Sequence, residues 1–336
     1  MLDQRARPTD IVCADSASPA WANLRVAVLV PCFNEALTIE RVVHGFAAAL
    51  PGSSIYVYDN ASTDATAASA LRTGAIVRSE PWPGKGNVVR RMFADVEADV
   101  YLIVDGDGTY DDSSAPLLVQ RLVDEHLDMV VGVRGDIYTE AHRRGHAVGN
   151  RIFNMAFAQL FGRGFTDIFS GYRALSRRFV KSFPALSRGF EIETEMAVHA
   201  MQLRLPWVEV ETRYGARVEG SSSKLRTLRD ALRILRMFVV LFKEVRPLAF
   251  FGAIGAVLAG TAALLAIPIF ETYLITGLVP RLPTAVGITG LVVLAAIALT
   301  CGLILDSVAR SRLEMKRVSY VAAASPCGRQ RSATLP

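Results

Sequence analysis

The amino-acid sequence predicts an α/β domain with a mostly parallel sheet, followed by an amphipathic helix at a membrane surface and two transmembrane helices. Two observations carry this prediction. Short apolar strands alternate with helical segments from residue 24 to about residue 220, which is typical of βαβ units. Two uncharged apolar runs, residues 248–270 and 284–305, follow, and each is long enough to cross a hydrocarbon core of roughly 30 Å.

The predicted strands are short runs rich in β-branched and aromatic residues, and they cover residues 25–30, 54–59, 75–78 and 100–104. The intervening helices are predicted to begin near Glu35, Ser62 and Lys85. Because 51% of the residues are hydrophobic and 21% are charged, a disordered chain is excluded. The four cysteines form no CxxC pair and have no histidine at ligand spacing, which argues against a zinc site or a disulfide framework and favours a reducing compartment.

Basic residues flank the two apolar runs unevenly. Seven lysines and arginines lie within residues 224–246 and four within residues 310–317, whereas the connector 271–283 holds only Arg281. Lysine and arginine beside a span are retained in the cytoplasm. Both termini and the α/β domain are therefore expected on the cytoplasmic side of the inner (plasma) membrane. The polar N-terminus, which lacks the apolar stretch of a signal peptide, agrees with this orientation.

The basic segment before the first run has a helical pattern. Apolar side chains recur at three- and four-residue steps at Leu225, Leu228, Leu232, Leu235, Val239 and Phe242. A neighbouring basic stripe is formed by Arg226, Arg229, Arg233 and Arg236. This pattern predicts a helix that lies among lipid headgroups, and an ordinary helix packed on the domain is the alternative.

Two carboxylates follow the fourth predicted strand directly, in the sequence DGDGTY. Asp105 and Asp107 therefore lie at the carboxyl end of a parallel strand, where open α/β sheets bind ligands. Paired carboxylate oxygens there suit Mg²⁺ or Mn²⁺ that bridges a diphosphate. An EF-hand is excluded because Pro116 stands at the twelfth loop position, which requires glutamate.

Acidic residues also follow the first two predicted strands. Glu35 and Asp59 are placed where a nucleotide site needs acceptors for ribose hydroxyls or base amino groups. Ser62 and Asp64 fit helix capping equally well. The sequence Gly84-Lys85-Gly86 lacks the Ser/Thr of a P-loop, which argues against an NTPase, although Lys85 offers an ammonium group to a phosphate.

Six motifs occur in order between about residues 24 and 306: PCFNE, YDNASTD, DGDGTY, SGYRAL, EIETEM and RVEGSSSKL. Their order and spacing resemble the family-two glycosyltransferases of the dolichol-phosphate mannose synthase type, which include bacterial polyprenyl-phosphate glycosyltransferases. The resemblance implies a GT-A fold, which is Rossmann-like with a mostly parallel sheet. It also implies inverting, metal-dependent transfer of one sugar from a UDP- or GDP-sugar to undecaprenyl or dolichyl phosphate.

The strand and helix pattern, the basic segment and the two apolar runs divide the chain into five parts: a flexible tail (1–23), a catalytic domain (24–220), a basic amphipathic helix (221–247), a transmembrane hairpin (248–306) and a basic C-terminal tail (307–336). The resemblance places the donor nucleoside against Pro31, Phe33, Glu35 and Asp59, and the diphosphate against Asp105. Lys85, from the Gly-Lys-Gly sequence, is a further candidate for donor binding. The resemblance also assigns the metal to Asp105 and Asp107, and the acceptor phosphate to Arg173, Arg217, Ser223 and Lys224. The residues implied in catalysis are Asp107, Arg173, Glu195 and Arg217.

Two departures from the family pattern bear on these assignments. Gly108 and Thr109 stand where many relatives have an apolar residue and a glutamine that is a further ligand, so the metal preference stays open. An extra serine precedes Lys224, so the phosphate contact could be made by Ser221, Ser222 or Ser223.

A lipid phosphate acceptor also follows from acid–base chemistry. A sugar hydroxyl needs a carboxylate to take its proton, whereas a phosphate monoester is ionised near pH 7 and mainly needs cations. Glu191 and Glu193 complicate this argument, but glutamates at alternate helix positions are equally consistent with a solvent-exposed face.

Three other functions are compatible with parts of the sequence. A processive polysaccharide synthase is disfavoured because the chain has no QxxRW string and only two predicted spans. A transferase for a soluble or protein acceptor and an inactive membrane scaffold remain alternatives. No nucleic-acid partner is expected, and a homo-oligomer is left open.

Overall fold

The structure is a computed structural model that describes residues 19, 21–135, 164–189, 191–215, 239–279 and 281–323. The chain divides into two compact units, residues 1–227 with 316–336 and residues 228–315. The predicted N-terminal tail lies almost wholly outside the described residues. So does the predicted amphipathic helix up to residue 238, and residues 239–245 are helical.

A seven-stranded sheet forms the centre of the first unit. Its strands are β1 (Val26–Cys32), β2 (Ser54–Asp59), β3 (Ile76–Ser79), β4 (Val100–Ile103), β5 (Met129–Arg134), β6 (Arg173–Ser176) and β7 (Trp207–Thr212). Their order is β3-β2-β1-β4-β6-β5-β7. Only β6 runs antiparallel to its neighbours, β4 and β5, among the paired strands that the structure describes. The predicted mostly parallel sheet is confirmed.

The described helices of this unit connect the strands and cover the sheet. They are α1 (Ile39–Ala49), α2 (Thr66–Arg72), α3 (Lys85–Asp95), α4 (Ala115–Asp124), α5 (Arg177–Ser182) and α6 (Ile192–Leu203). A 3-10 turn, Asp112–Ser114, precedes α4. Helix α1 shows how the core forms, because Val42, Val43 and Phe46 recur on one face and are buried with Val28 and Leu102 of the sheet.

Helices α1 and α2 begin at Ile39 and Thr66, four residues later than predicted, whereas α3 begins at Lys85 as predicted. The residues before α1 and α2 are used in a contact between two loops. The backbone amide of Asn34 donates to Ser62 Oγ at 2.9 Å, and that of Glu35 donates to Thr66 Oγ1 at 2.8 Å. Because these amides bond across the loops, the residues stay outside the helices.

The two apolar helices lie mainly in the second unit. Helix α7 (Pro247–Thr276) has 30 residues and α8 (Leu282–Ala322) has 41, and both are long and apolar enough to span a membrane. The predicted runs 248–270 and 284–305 lie within them. The two helices pack through small residues, since a Cβ added at Gly302 would lie 3.1 Å from the Cβ of Phe251.

A buried histidine lies in the core of the first unit. His199 of α6 is 1% exposed, its Nε2 lies 2.9 Å from Ser182 Oγ, and the rings of Phe179 and Phe183 meet it edge to face. Burial, assisted by the charge of Lys316, lowers the pKa of His199 to about 3. The imidazole is therefore neutral in the folded protein at pH 5, where it would be protonated in the unfolded chain.

We expect His199 to make the protein acid-sensitive. The pKa of His199 is lower in the folded protein than in the unfolded chain, so below about pH 6.5 folding requires the imidazole to lose its proton. The free energy of unfolding is therefore unaffected above that pH and decreases as the pH falls below it. At pH 5 the loss is about 2 kcal/mol. The thermal midpoint of the detergent-solubilised chain should therefore fall less between pH 7.5 and pH 5 in His199→Gln than in the wild type.

The exposed His44 provides the matched control, and His44→Gln should retain the wild-type pH dependence. An unchanged pH slope in His199→Gln would contradict the buried neutral imidazole.

Candidate functional site

The carboxyl ends of β1, β2 and β4 meet at one edge of the sheet. Strand β1 lies between the other two, and its Cys32 pairs with Asp59 at the end of β2. The loop after β4 reaches the same place, because a Cβ added at Gly106 would lie 2.6 Å from Cys32 Sγ. The edge thus gathers Pro31, Asp59 and Asp105, as the sequence predicts.

Asp59 has an oxygen suited to a ligand. The residue is 8% exposed, and its Oδ2 accepts a hydrogen bond of 3.3 Å from the backbone N–H of Ser62. Its Oδ1 is buried and has no hydrogen-bond partner among the described residues. Because a buried unsatisfied acceptor is costly, this oxygen fits a donor on a ligand, such as an N–H of a nucleobase or a ribose hydroxyl.

Ser62 and Asp64, for which capping and binding were both open, stabilise the loops. Asp64 accepts hydrogen bonds from the backbone amides of Ala36 at 3.2 Å and of Thr66 at 2.9 Å. Although burial raises the pKa of Asp64, hydrogen bonds from Thr66 and Ala36 hold it below its ordinary value. With the Ser62 contact to Asn34, these bonds join the loop after β1 to the loop after β2.

The DGDG loop presents its two aspartates differently. The Asp105 side chain is 30% exposed, whereas Asp107 is 6% exposed. Asp107 Oδ1 accepts hydrogen bonds from the Thr109 backbone amide at 3.2 Å and from Thr109 Oγ1 at 2.6 Å. Thr38 Oγ1 donates to the carbonyl of Gly106 at 2.6 Å. Thr109, in the place of the glutamine of many relatives, thus orients Asp107.

The Asp105 and Asp107 carboxylates fit a hard divalent ion whose other ligands come from a substrate and water. The described residues include no group of three or more histidine, cysteine, aspartate or glutamate side chains that could hold a metal. Asp105 and Asp107 would supply two hard oxygens, and the other positions of an octahedral Mg²⁺ or Mn²⁺ would be left to diphosphate oxygens and water.

Lys85, the first residue of α3, links Asp105 to α6. Its Nζ lies 2.5 Å from Asp105 Oδ1 and 2.5 Å from Glu193 Oε1. Burial lowers the pKa of Lys85, but the two carboxylates more than offset this and raise it above its ordinary value. Glu193 is 4% exposed, so the solvent-facing interpretation left open for it is wrong.

The SGYRAL motif contributes backbone to the site. A Cβ added at Gly171 would lie 2.6 Å from Asp105 Oδ2, so only glycine lets the chain pass this carboxylate without displacing it. The backbone N–H of Gly171 donates to Tyr110 Oη at 2.8 Å, which fixes the approach.

Arg173 does not lie where the family resemblance places it. Its side chain is fully buried and donates to the carbonyl oxygens of Ser170 at 2.9 Å and Ile168 at 2.6 Å. Burial lowers the pKa of Arg173. Because the side chain is fully buried and its Nε and Nη2 donate to the loop before β6, it is not available to an acceptor phosphate in this arrangement.

The remaining predicted catalytic and acceptor residues are only partly described by the structure. Glu195 accepts hydrogen bonds from the backbone amides of Leu186 at 2.9 Å and Ser187 at 2.8 Å, so it holds the segment before α6. The rest of the predicted set lies outside the described residues: Arg217, Ser221, Ser222, Ser223 and Lys224.

Asn60 is a site residue that sequence reasoning missed. Its Nδ2 donates to the carbonyls of Glu80 at 3.0 Å and Trp82 at 2.8 Å, and its Oδ1 accepts from the Gly84 amide at 2.7 Å. These bonds hold the loop that delivers Lys85. Its position directly after Asp59, at the end of β2, is the feature of the sequence that could have identified Asn60 as a site residue.

Comparison with known proteins identifies the family. A family model described as glycosyl transferase family 2 matches residues 27–183. Glycosyltransferase AglJ of Haloferax volcanii is 38% identical over 255 residues, which cover 74% of this chain and 81% of that protein. The chain belongs to glycosyltransferase family 2. The predicted family and the predicted glycosyltransferase activity are confirmed.

Further relatives extend the likeness of this family-two glycosyltransferase. Protein RfbJ of Shigella flexneri is 54% identical over 129 residues, covering 38% of this chain and 98% of that protein. A dolichol-phosphate mannosyltransferase of Pyrococcus furiosus is 24% identical over 249 residues, covering 69% of this chain and 68% of that protein.

A solved structure supports the fold. The glucosyl-3-phosphoglycerate synthase of Mycobacterium tuberculosis, in complex with Mn²⁺, UDP-glucose and phosphoglyceric acid, aligns with a TM-score of 0.54 and 24% identity. The match covers 66% of this chain and 80% of that one. The GT-A-like fold, with two C-terminal helices that are candidate membrane spans, is therefore confirmed.

Gly171→Ala should damage the site without unfolding the protein. The added carbon displaces the Asp105 carboxylate, so we expect Mn²⁺-dependent binding of UDP or GDP, whichever the wild type binds, to weaken about 10-fold, or about 1.4 kcal/mol. Isothermal titration calorimetry measures this change. Gly290→Ala is the control, because its added carbon meets nothing within 4 Å. Equal affinities in Gly171→Ala and the control would refute the contact with Asp105.

Proposed function

We propose that this glycosyltransferase transfers one sugar, with inversion, from a UDP- or GDP-sugar to a polyprenyl phosphate at the cytoplasmic face of the inner (plasma) membrane. One observation carries the proposal. The same chain combines the carboxylate edge of Asp59, Asp105 and Asp107 with two helices long and apolar enough to span a membrane. The similarity to a dolichol-phosphate mannosyltransferase supports it.

The donor would lie along the edge formed by β1, β2 and β4. Asp59 offers a buried acceptor without a partner among the described residues. Pro31 lies near the end of the neighbouring strand β1, and Phe33 and Glu35 follow that strand. Lys85 would bring its ammonium group to the diphosphate. Asp105 and Asp107 would hold Mg²⁺ or Mn²⁺, which when bound supplies Lewis-acid stabilisation of the departing nucleoside diphosphate. The similar synthase crystallised with Mn²⁺ and UDP-glucose supports this assignment.

The partners of two carboxylates support a phosphate acceptor. Glu193 is paired with Lys85, and Glu195 accepts two backbone amides, so neither is placed to act as a general base. A hydroxyl acceptor would need such a base, whereas an ionised phosphate needs cations. Arg217, Lys224 and one of Ser221, Ser222 and Ser223 would supply these contacts, just before and at the start of the basic helix predicted at 221–247. The five-part division of the chain belongs to the same proposal.

Transfer of a labelled sugar into solvent-extractable lipid tests the proposal. A panel of radiolabelled UDP- and GDP-sugars should yield one that labels undecaprenyl phosphate but not undecaprenol, since the phosphate is the nucleophile. We expect Asp107→Ala to lower this transfer by at least about 100-fold, or about 2.7 kcal/mol of transition-state stabilisation. The exposed Asp124 provides the control Asp124→Ala, which should retain the wild-type rate.

Other outcomes favour other functions. Label in the aqueous phase would favour a soluble or protein acceptor. An absence of product with every donor, together with no donor-dependent thermal shift, would favour an inactive membrane scaffold. An unaffected Asp107→Ala variant would refute its metal role.

A further inference from the structure

Three charged side chains from three elements meet beside the DGDG loop. Lys85 of α3 lies between Asp105, which follows β4, and Glu193 of α6, at 2.5 Å from an oxygen of each. The Lys85 and Glu193 side chains are buried, at 10% and 5% exposed, whereas Asp105 is partly open to solvent. Only the Asp105 end of the cluster is therefore accessible to a ligand.

The cluster holds one positive and two negative charges. Glu193 Oε2 is buried and has no hydrogen-bond partner among the described residues. A buried ion pair is weak evidence for stability, because desolvation of the charges offsets their attraction. Fold stability therefore does not explain why Lys85 is paired with Glu193 as well as with Asp105. A role of Glu193 in ligand binding at this edge does explain it.

Two cations can bind Asp105 Oδ1: the Lys85 ammonium and the proposed divalent ion. This oxygen accepts the Lys85 ammonium, and it is one of the oxygens that Asp105 would offer to a divalent ion. If Asp105 were the sole partner of Lys85, the ammonium would compete directly with the ion for this carboxylate. Glu193 removes the conflict, because it keeps a buried partner on Lys85 when Asp105 turns to the ion.

The backbone fixes the distance between Lys85 and Glu193. The amide of Gly86 donates to the carbonyl of Arg188 at 3.1 Å, which joins the first turn of α3 to the segment that leads into α6. Glu195 holds the same segment through the amides of Leu186 and Ser187. The Lys85 ammonium thus stays within reach of Asp105.

We propose that Glu193 is a positioning residue that retains the Lys85 ammonium while Asp105 binds a divalent ion, and so directs Lys85 to the donor diphosphate. The inference rests on the proposed donor site and names the residue that allows a lysine and a divalent ion to share one aspartate. Glu193 acts through Lys85 and touches neither the sugar nor the acceptor.

Two substitutions at Glu193 separate positioning from charge. Glu193→Gln removes the charge, and Glu193→Asp keeps the charge but withdraws it from Lys85. Mn²⁺ affinity is measured by electron paramagnetic resonance of free Mn²⁺ without nucleotide. Affinity for UDP or GDP, whichever the wild type binds, is measured by calorimetry at saturating Mn²⁺.

We expect Glu193→Gln to weaken Mn²⁺ binding about 10-fold, because Lys85 then depends on Asp105 alone. Glu193→Asp should weaken nucleotide binding by a similar factor although no charge is lost. Wild-type nucleotide affinity in Glu193→Asp would overturn the inference, since it would show that only the charge matters. The exposed Glu125 gives the control Glu125→Gln, which should bind both ligands as the wild type does.

Lys85→Met completes a double-mutant cycle. If Glu193 acts through Lys85, Glu193→Gln should change Mn²⁺ affinity less than about 2-fold in the Lys85→Met background. An equal fold-change in both backgrounds would overturn the inference in favour of a through-space charge effect. Thermal midpoints report folding of each variant. Because no lipid acceptor is present in these measurements, their failure is distinguishable from failure of lipid transfer.

Discussion

The contacts of the Asp105 carboxylate are the constraint on which the site depends. The end of β4 delivers this carboxylate, Lys85 approaches one oxygen, and the backbone of Gly171 passes against the other. Three distant parts of the chain must therefore arrive at one carboxylate. An open parallel sheet allows this, because the loops at the carboxyl ends of its strands converge on one edge.

Side-chain to backbone hydrogen bonds hold these loops in place. Asn60 fixes the segment that carries Lys85, Thr38 fixes the carbonyl of Gly106, and Thr109 fixes Asp107. Loops held in this way need little reorganisation when charge develops on a bound ligand, which is the general requirement for electrostatic catalysis. The protein's own hydrogen bonds therefore hold the loops that carry Asp59, Asp105 and Asp107.

Much of the fold follows from local patterns. Strands β1, β2 and β4 and the two long apolar helices were predicted because apolar runs and their lengths are visible in the sequence. Long-range contacts were not predictable in this way. The starts of α1 and α2 depend on hydrogen bonds between two loops, such as that between Asn34 and Ser62.

The same limit applies to the site. Asp105 was identifiable because it directly follows an apolar strand. The burial of Arg173 and the pairing of Glu193 with Lys85 depend on which strands and helices become neighbours in the fold, and a motif does not encode that. The most direct test of the account is electron–nuclear double resonance of Mn²⁺ with the bound nucleoside diphosphate. After unbound Mn²⁺ and nucleotide are removed, we expect the wild-type protein to retain a Mn²⁺ signal with ³¹P hyperfine coupling and Asp105→Asn to lose this protein-bound signal. An equal protein-bound signal with unchanged coupling in Asp105→Asn would contradict the proposed role of Asp105.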